Sequence, residues 1–195
     1  MRNSYTILET ILPVSTILRL SELIVRRQFC AGRRTVSSLI MSDMDTTWML
    51  YQSALTTAAL GQRVLVVLGG GGWSRLPPTV HTMPQPSADI MANISFLYPN
   101  NVAELIKYLG LLGGGEKLLP EVVLLGNVEK LTGDGAQTAI MAKISAVLSQ
   151  FLEQCEDRSD GRHPCRLIAT AEVNQQVRRL WEKRMHLWYP EVWLS

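Results

Sequence analysis

The stretch VSSLIMSDMDTTWMLYQSALTTAALGQRVLVVL, residues 36–68, decides how the rest of the chain is read. Val36 to Met41 is an apolar run of strand length. The chain then turns polar through Ser42-Asp43-Met44-Asp45-Thr46-Thr47. From about Thr46 to Leu60 the apolar residues Leu50, Tyr51, Ala54, Leu55 and Ala58 recur at helical spacing, so they share one face. Gly61 is a stop signal, because glycine accepts the left-handed conformation that ends helices. Arg63 to Leu68 then forms a continuous, largely β-branched run, the pattern of a strand covered on both faces.

The same alternation continues toward the carboxyl end. A proline-rich stretch from Pro77 to Pro86 predicts a long irregular loop, and NISFLYP predicts the next strand. Asn100 or Asn101 is placed to cap a helix that carries Val102, Leu105, Ile106 and Leu109 inward, with Gly113 to Gly115 ending it. EVVLL (Glu121 to Leu125) is a buried strand. A long helix follows over about Ala136 to Cys155, with Ile140, Ile144, Val147, Leu148, Phe151, Leu152 and Cys155 in three- and four-residue steps. CRLIAT gives a further strand, a helix covers about Asn174 to Met185, and EVWL closes the chain. Strands alternating with helices of these lengths imply an α/β fold, a mainly parallel sheet with helices on both faces.

At 195 residues the chain suits one sizeable core, in two parts: an amphipathic, arginine-rich extension over 1–35 and an α/β domain over 36–195. It is 47% hydrophobic and 18% charged, as folded proteins are. Nineteen basic against seventeen acidic residues leave +2, which neither demands nor excludes nucleic acid. The distribution is more telling. Arg33 and Arg34 belong to one basic cluster, and Arg178, Arg179, Lys183 and Arg184 form another. These are the candidate DNA-contacting residues, against the alternative of a solvated face. Glu9, Pro13, Arg19 and Glu22 break the apolar amino end, so no membrane span is expected. Its arginines and serines leave a mitochondrial presequence as an alternative to an amphipathic arm. Cys155, His163 and Cys165 lack a paired C-x-x-C unit and an evident fourth ligand, so the cysteines read as ordinary thiols and no metal site is assigned.

In a sheet of this class ligands bind beyond the carboxyl ends of the strands. A phosphate loop there needs glycines to turn backbone N–H groups on phosphate, a lysine for the outer phosphates and a hydroxyl for magnesium. After Met41 there is no glycine or lysine. Thr46 and Thr47 supply hydroxyls, while Asp43 and Asp45 repel phosphate and better suit capping the following helix. The inner strand VVLLGN ends in Gly126 and Asn127 with no carboxylate, and RVLVVL ends in Gly69 to Gly72. Trp73 to Pro78 open no helix, so the glycine run reads as a flexible loop. No catalytic residue is assigned. The remaining nucleotide candidates are Asp45, Thr46 and Thr47, as a vestigial loop. No cofactor is expected, with ATP the one to test.

The order of segments carries a resemblance. LIMSDMDTTWMLYQSALTTAALGQRVLVVL has the layout of the strand, P-loop, helix and second strand of the RecA-like core. MANISFLYPNNVAELIKYLGLL, PEVVLLGNVEKL, LIATAEVNQQ and LWYPEVWLS follow in order. Together they resemble, over 36–195, the small RecA-like recombinase paralogues that partner SWIM-type zinc-finger proteins in Shu complexes. The resemblance implies a P-loop NTPase-type fold and a nuclear role in homologous recombination and DNA repair. Its implied partners are a SWIM-type zinc-finger protein, the recombinase and single-stranded DNA. The family's P-loop lysine and magnesium threonine fall at Thr46 and Thr47, and its inner-strand aspartate at Gly126. A pseudo-ATPase is therefore expected, with a DNA-stimulated ATPase using an atypical loop, or a mitochondrial α/β protein unrelated to DNA, as the alternatives.

Overall fold

A computed structural model describes residues 36–42, 46–71, 86–114, 119–132, 138–158, 165–172 and 191–194. In chain order they form β1 (Val36–Ser42), α1 (Thr47–Ala59), β2 (Val64–Leu68), α2 (Ala88–Ala92), β3 (Ile94–Leu97) and α3 (Val102–Gly114). Then come β4 (Val122–Gly126), α4 (Val128–Thr132), α5 (Thr138–Arg158), β5 (Arg166–Glu172) and β6 (Glu191–Leu194). The strands make one six-stranded sheet in the order β3-β2-β4-β5-β1-β6, and every pairing is parallel.

The unbroken apolar strands are explained by a core on each side of this sheet. Leu65, Val67, Val123, Leu125, Leu167 and Ala169 point to one face and pack with Leu105 and Leu109 of α3, Leu131 of α4, and Met141, Ile144, Leu148 and Phe151 of α5. The intervening residues Val64, Val66, Val122, Leu124 and Ile168 point to the other face, onto Leu50, Ala54, Leu55 and Ala58 of α1. Successive strand residues alternate sides, so VLVVL and VVLL must be apolar throughout. The mainly parallel α/β reading therefore holds, with helices on both faces.

Helix ends follow local chemistry. Asn101 Oδ1 accepts the Glu104 N–H at 3.0 Å, and Glu104 Oε2 accepts the Asn100 N–H at 2.8 Å, so the cap holds the third helical residue while that residue's carboxylate ties down the residue before the cap. α3 ends at Gly114, within the glycine run expected to stop it, and Gly113 is buried in its last turn, where its bare Cα faces Gln154 and Phe151 of α5. A side chain there would meet chiefly the flexible end of Gln154. α2, capped by Ser87 Oγ accepting from Ile90 N–H at 3.3 Å, and the one-turn α4 lie in stretches where the sequence pattern predicts no helix. Five residues are too few to display a period.

The connections place two openings at the carboxyl edge. β1 leads through α1 to β2, and β2 through α2 to β3, both toward the β3 edge on the α1 face. β3 leads through α3 to β4, and β4 through α4 and α5 to β5, in the opposite direction on the other face. β5 continues that way to β6. Neighbouring strands therefore send their connections opposite ways at β2 and β4, where they diverge, and at β5 and β1, where they cross, and ligand crevices form at such switch points.

Candidate functional site

Four strand ends bound these openings: Ser42 of β1, Leu68 of β2, Gly126 of β4 and Glu172 of β5. After β1 the candidate Asp45, with Asp43, lies outside the described residues. Thr46 takes the N-cap position of α1, so the expected capping aspartates do not occupy it. Its side chain makes no capping bond, and it is buried at 8% exposure. Its carbonyl accepts the Met49 N–H at 3.0 Å. Thr47 is the first helical residue and half-buried. The two threonines thus stand at the start of the helix, where the hydroxyl of a phosphate loop belongs.

The inner-strand position is more revealing. A Cβ placed on Gly126 would lie 2.5 Å from Leu50 Cδ1, 2.7 Å from Leu68 Cδ2 and 3.8 Å from Thr170 Oγ1. Leu50 and Leu68 are 1% and 0% exposed. Carbon atoms cannot approach that closely, so the volume into which an acidic side chain would project is filled by hydrocarbon. Methyl groups replace the oxygen ligands magnesium needs, and no water enters to solvate a charge. The space beside Gly126 is thus apolar, filled from the first turn of α1 and the end of β2.

Between β2 and β4 the edge is polar, and here the sequence reading missed a residue. Asn127 adopts φ 55°, a left-handed conformation that asparagine tolerates better than most side chains. It turns the chain so that α4 starts at once and brings Glu129 back toward β5. Glu129 Oε2 accepts the Glu172 backbone N–H at 3.0 Å, while Oε1 is buried with no hydrogen-bond partner. Burial pushes this carboxyl above the ordinary range. Backbone hydrogen bonds and Lys130 pull it down, and Glu172 adds to the rise. The only sequence signal was an asparagine ending an apolar run. The inward direction of Glu129 depends on the turn of α4.

The glycines after β2 form a defined turn at Gly69 to Gly71, the rest of the run lying outside the described residues. Gly69 donates to Gly126 O at 3.0 Å, extending the β2–β4 ladder, and Gly70 donates to Pro99 O at 3.2 Å. A Cβ on Gly69 would fall 2.6 Å from Asn127 O and 2.8 Å from Leu131 Cγ, so this glycine exists for close approach to α4.

Arg33, Arg34, Arg178, Arg179, Lys183 and Arg184 all lie outside the described residues, as does His163. Among the described residues no group of three or more metal-ligating side chains converges. No described helix is long and apolar enough to cross a membrane. Set against known proteins, the chain matches no family model and no curated protein sequence.

Proposed function

We propose that this chain is a RecA-like pseudo-ATPase, a non-catalytic subunit supporting homologous recombination by binding a SWIM-type zinc-finger partner, the recombinase and single-stranded DNA. The observation that carries the non-catalytic part is the packing of Leu50 and Leu68 into the volume beside Gly126. A hydrolytic site needs oxygen ligands for its cation there, and this one has methyl groups. The strand order supports the RecA-like part: β1, followed by α1, lies at a switch point, in the order the segment resemblance implies. The partner and DNA assignments rest on that resemblance, together with basic clusters able to release counterions from phosphate.

The test is co-purification of the chain with and without a SWIM-type partner, followed by titration of each preparation with ATP-magnesium and with single-stranded DNA. Stable pairing and salt-sensitive DNA binding, without saturable ATP binding, are expected. DNA-stimulated turnover of ATP would reject the pseudo-ATPase reading in favour of an unconventional loop at Asp45, Thr46 and Thr47. Failure to pair or to bind DNA would reject the recombination assignment.

A further inference from the structure

Among the described residues β3 pairs only with β2, and the chain leaves it through Tyr98 and Pro99 at the carboxyl edge. Tyr98 is 45% exposed. Its ring lies parallel to that of Phe96, with centroids 6.2 Å apart and planes 6° apart. Phe96 in turn packs on the α1-side core, so the Tyr98 ring is held in orientation while much of it faces solvent. Gly70 joins this corner to α4. Its N–H donates to Pro99 O at 3.2 Å, and a Cβ on it would fall 2.9 Å from Lys130 Cδ, so the lysine stem lies along the glycine. Gly70 and Gly71 take φ of 74° and 94°, and a Cβ on Gly71 would meet nothing within 4 Å. The turn is therefore low and open, with Tyr98 beside it at the end of β3 and Lys130 beside it on α4.

We propose that Tyr98 and Lys130 form a contact for single-stranded DNA, the Tyr98 ring stacking on an unpaired base and the Lys130 ammonium meeting a backbone phosphate across the Gly70–Gly71 turn. This rests on the DNA-binding reading above and adds two residues outside the arginine clusters. Lys130 is exposed. Its sequence neighbour Glu129 directs its carboxylate elsewhere, onto the Glu172 N–H at the end of β5. Glu104, the acid that follows Tyr98 in sequence, is engaged as well: its Oε2 accepts the Asn100 N–H at 2.8 Å and the Asn100 side-chain amide at 3.2 Å. Every base has a π face, so an exposed aromatic ring binds bases without regard to sequence. In a duplex those faces are covered by the neighbouring pairs, which makes the ring selective for single strands. Lysine supplies a point charge that any backbone phosphate satisfies.

The experiment titrates the full-length chain and its variants into a fluorescein-labelled oligothymidylate across a series of salt concentrations. It also irradiates the wild-type complex with an oligomer carrying 5-iododeoxyuridine and maps the cross-linked peptide. Tyr98→Ala is expected to weaken binding roughly 5- to 150-fold, the loss of one stacked base, while Tyr98→Phe keeps the ring and the affinity. Lys130→Ala should lower the slope of log affinity against log salt by about 0.7, one phosphate contact fewer. The cross-link should fall on Tyr98, and this wild-type map decides even if a variant fails to fold. Wild-type binding with Tyr98→Ala and Lys130→Ala unchanged, or cross-links only at other residues, would overturn this site and leave the DNA-binding reading standing. No binding by the wild type would overturn both. Displacement of the oligomer by thymidine monophosphate at equal nucleotide concentration, or by duplex as readily as by single strand, would overturn the assignment of an unpaired strand.

Discussion

At Gly126 a side chain and the surrounding packing compete directly. Placing an acid there by Gly126→Asp drives a carboxylate against Leu50 and Leu68 in a volume with no solvent. We expect a loss of ~3 kcal/mol or more, from overpacking and an unpaired buried charge together, and no gain of ATP binding. Urea denaturation alongside a nucleotide titration checks both parts. A G126D variant as stable as wild type and able to bind ATP-magnesium would show that the pocket opens. Glu129 gives a pH-dependent prediction. Its carboxyl is raised in the folded state, so both states hold the proton at acid pH and no penalty applies. The penalty grows as pH climbs past the unfolded value of about 4.3 and is complete above the raised folded value. Glu129→Gln keeps an acceptor for the Glu172 N–H and removes the buried charge. It should stabilise the fold near neutral pH and be neutral below about pH 4, as read from melting curves across pH. A destabilised variant at neutral pH would mean that the carboxylate's hydrogen bonds outweigh its desolvation.

Helices and turns divide into those that carry their own signal and those that borrow it. α1, α3 and α5 show helical spacing over three or more turns, and the pattern places Leu50, Leu105, Ile144 and Leu148 inward as found. α2 and α4, one turn each, offer no such pattern. The polar Asn-Asn before α3 is a strong local signal, and replacing the cap by Asn101→Ala should cost ~1 kcal/mol by chemical denaturation. Two glycines that look alike in sequence should respond oppositely to alanine. At Gly113 the obstacle is the far end of the Gln154 side chain, which moves easily, and the helix gains propensity. Gly113→Ala is therefore expected to be neutral or to stabilise by up to ~1 kcal/mol. At Gly69 the obstacles are Asn127 O, part of the backbone, and the Leu131 branch point, so Gly69→Ala should lose ~1–3 kcal/mol. Parallel melts of the two variants test this, and equal effects would refute the distinction.

Across the whole molecule, one sheet with a core on each face should unfold as a unit. Leu124 and Leu125 are adjacent, fully buried, and directed to opposite layers. Leu124→Ala and Leu125→Ala should each cost ~2–5 kcal/mol and shift a single transition. Two separable transitions would mean that the layers unfold independently. The alternation of apolar runs with helical periods was enough to read the α/β class, because a strand covered on both faces needs apolar residues at every position and a covering helix needs a stripe. That no lysine or carboxylate stands at these strand ends was equally legible, since chemistry that requires a residue type fails visibly when that type is absent. The sequence could not say what fills the space beside Gly126. Leu50, Leu68 and Gly126 are far apart along the chain and meet only because β2 and β4 are neighbours and α1 crosses over them. Glu129 likewise looks like any surface glutamate until the left-handed Asn127 turns α4 toward β5. Periodicity is a local property and survives in the sequence. Which side chains share a buried volume depends on strand order and crossover direction, and only the tertiary structure decides that.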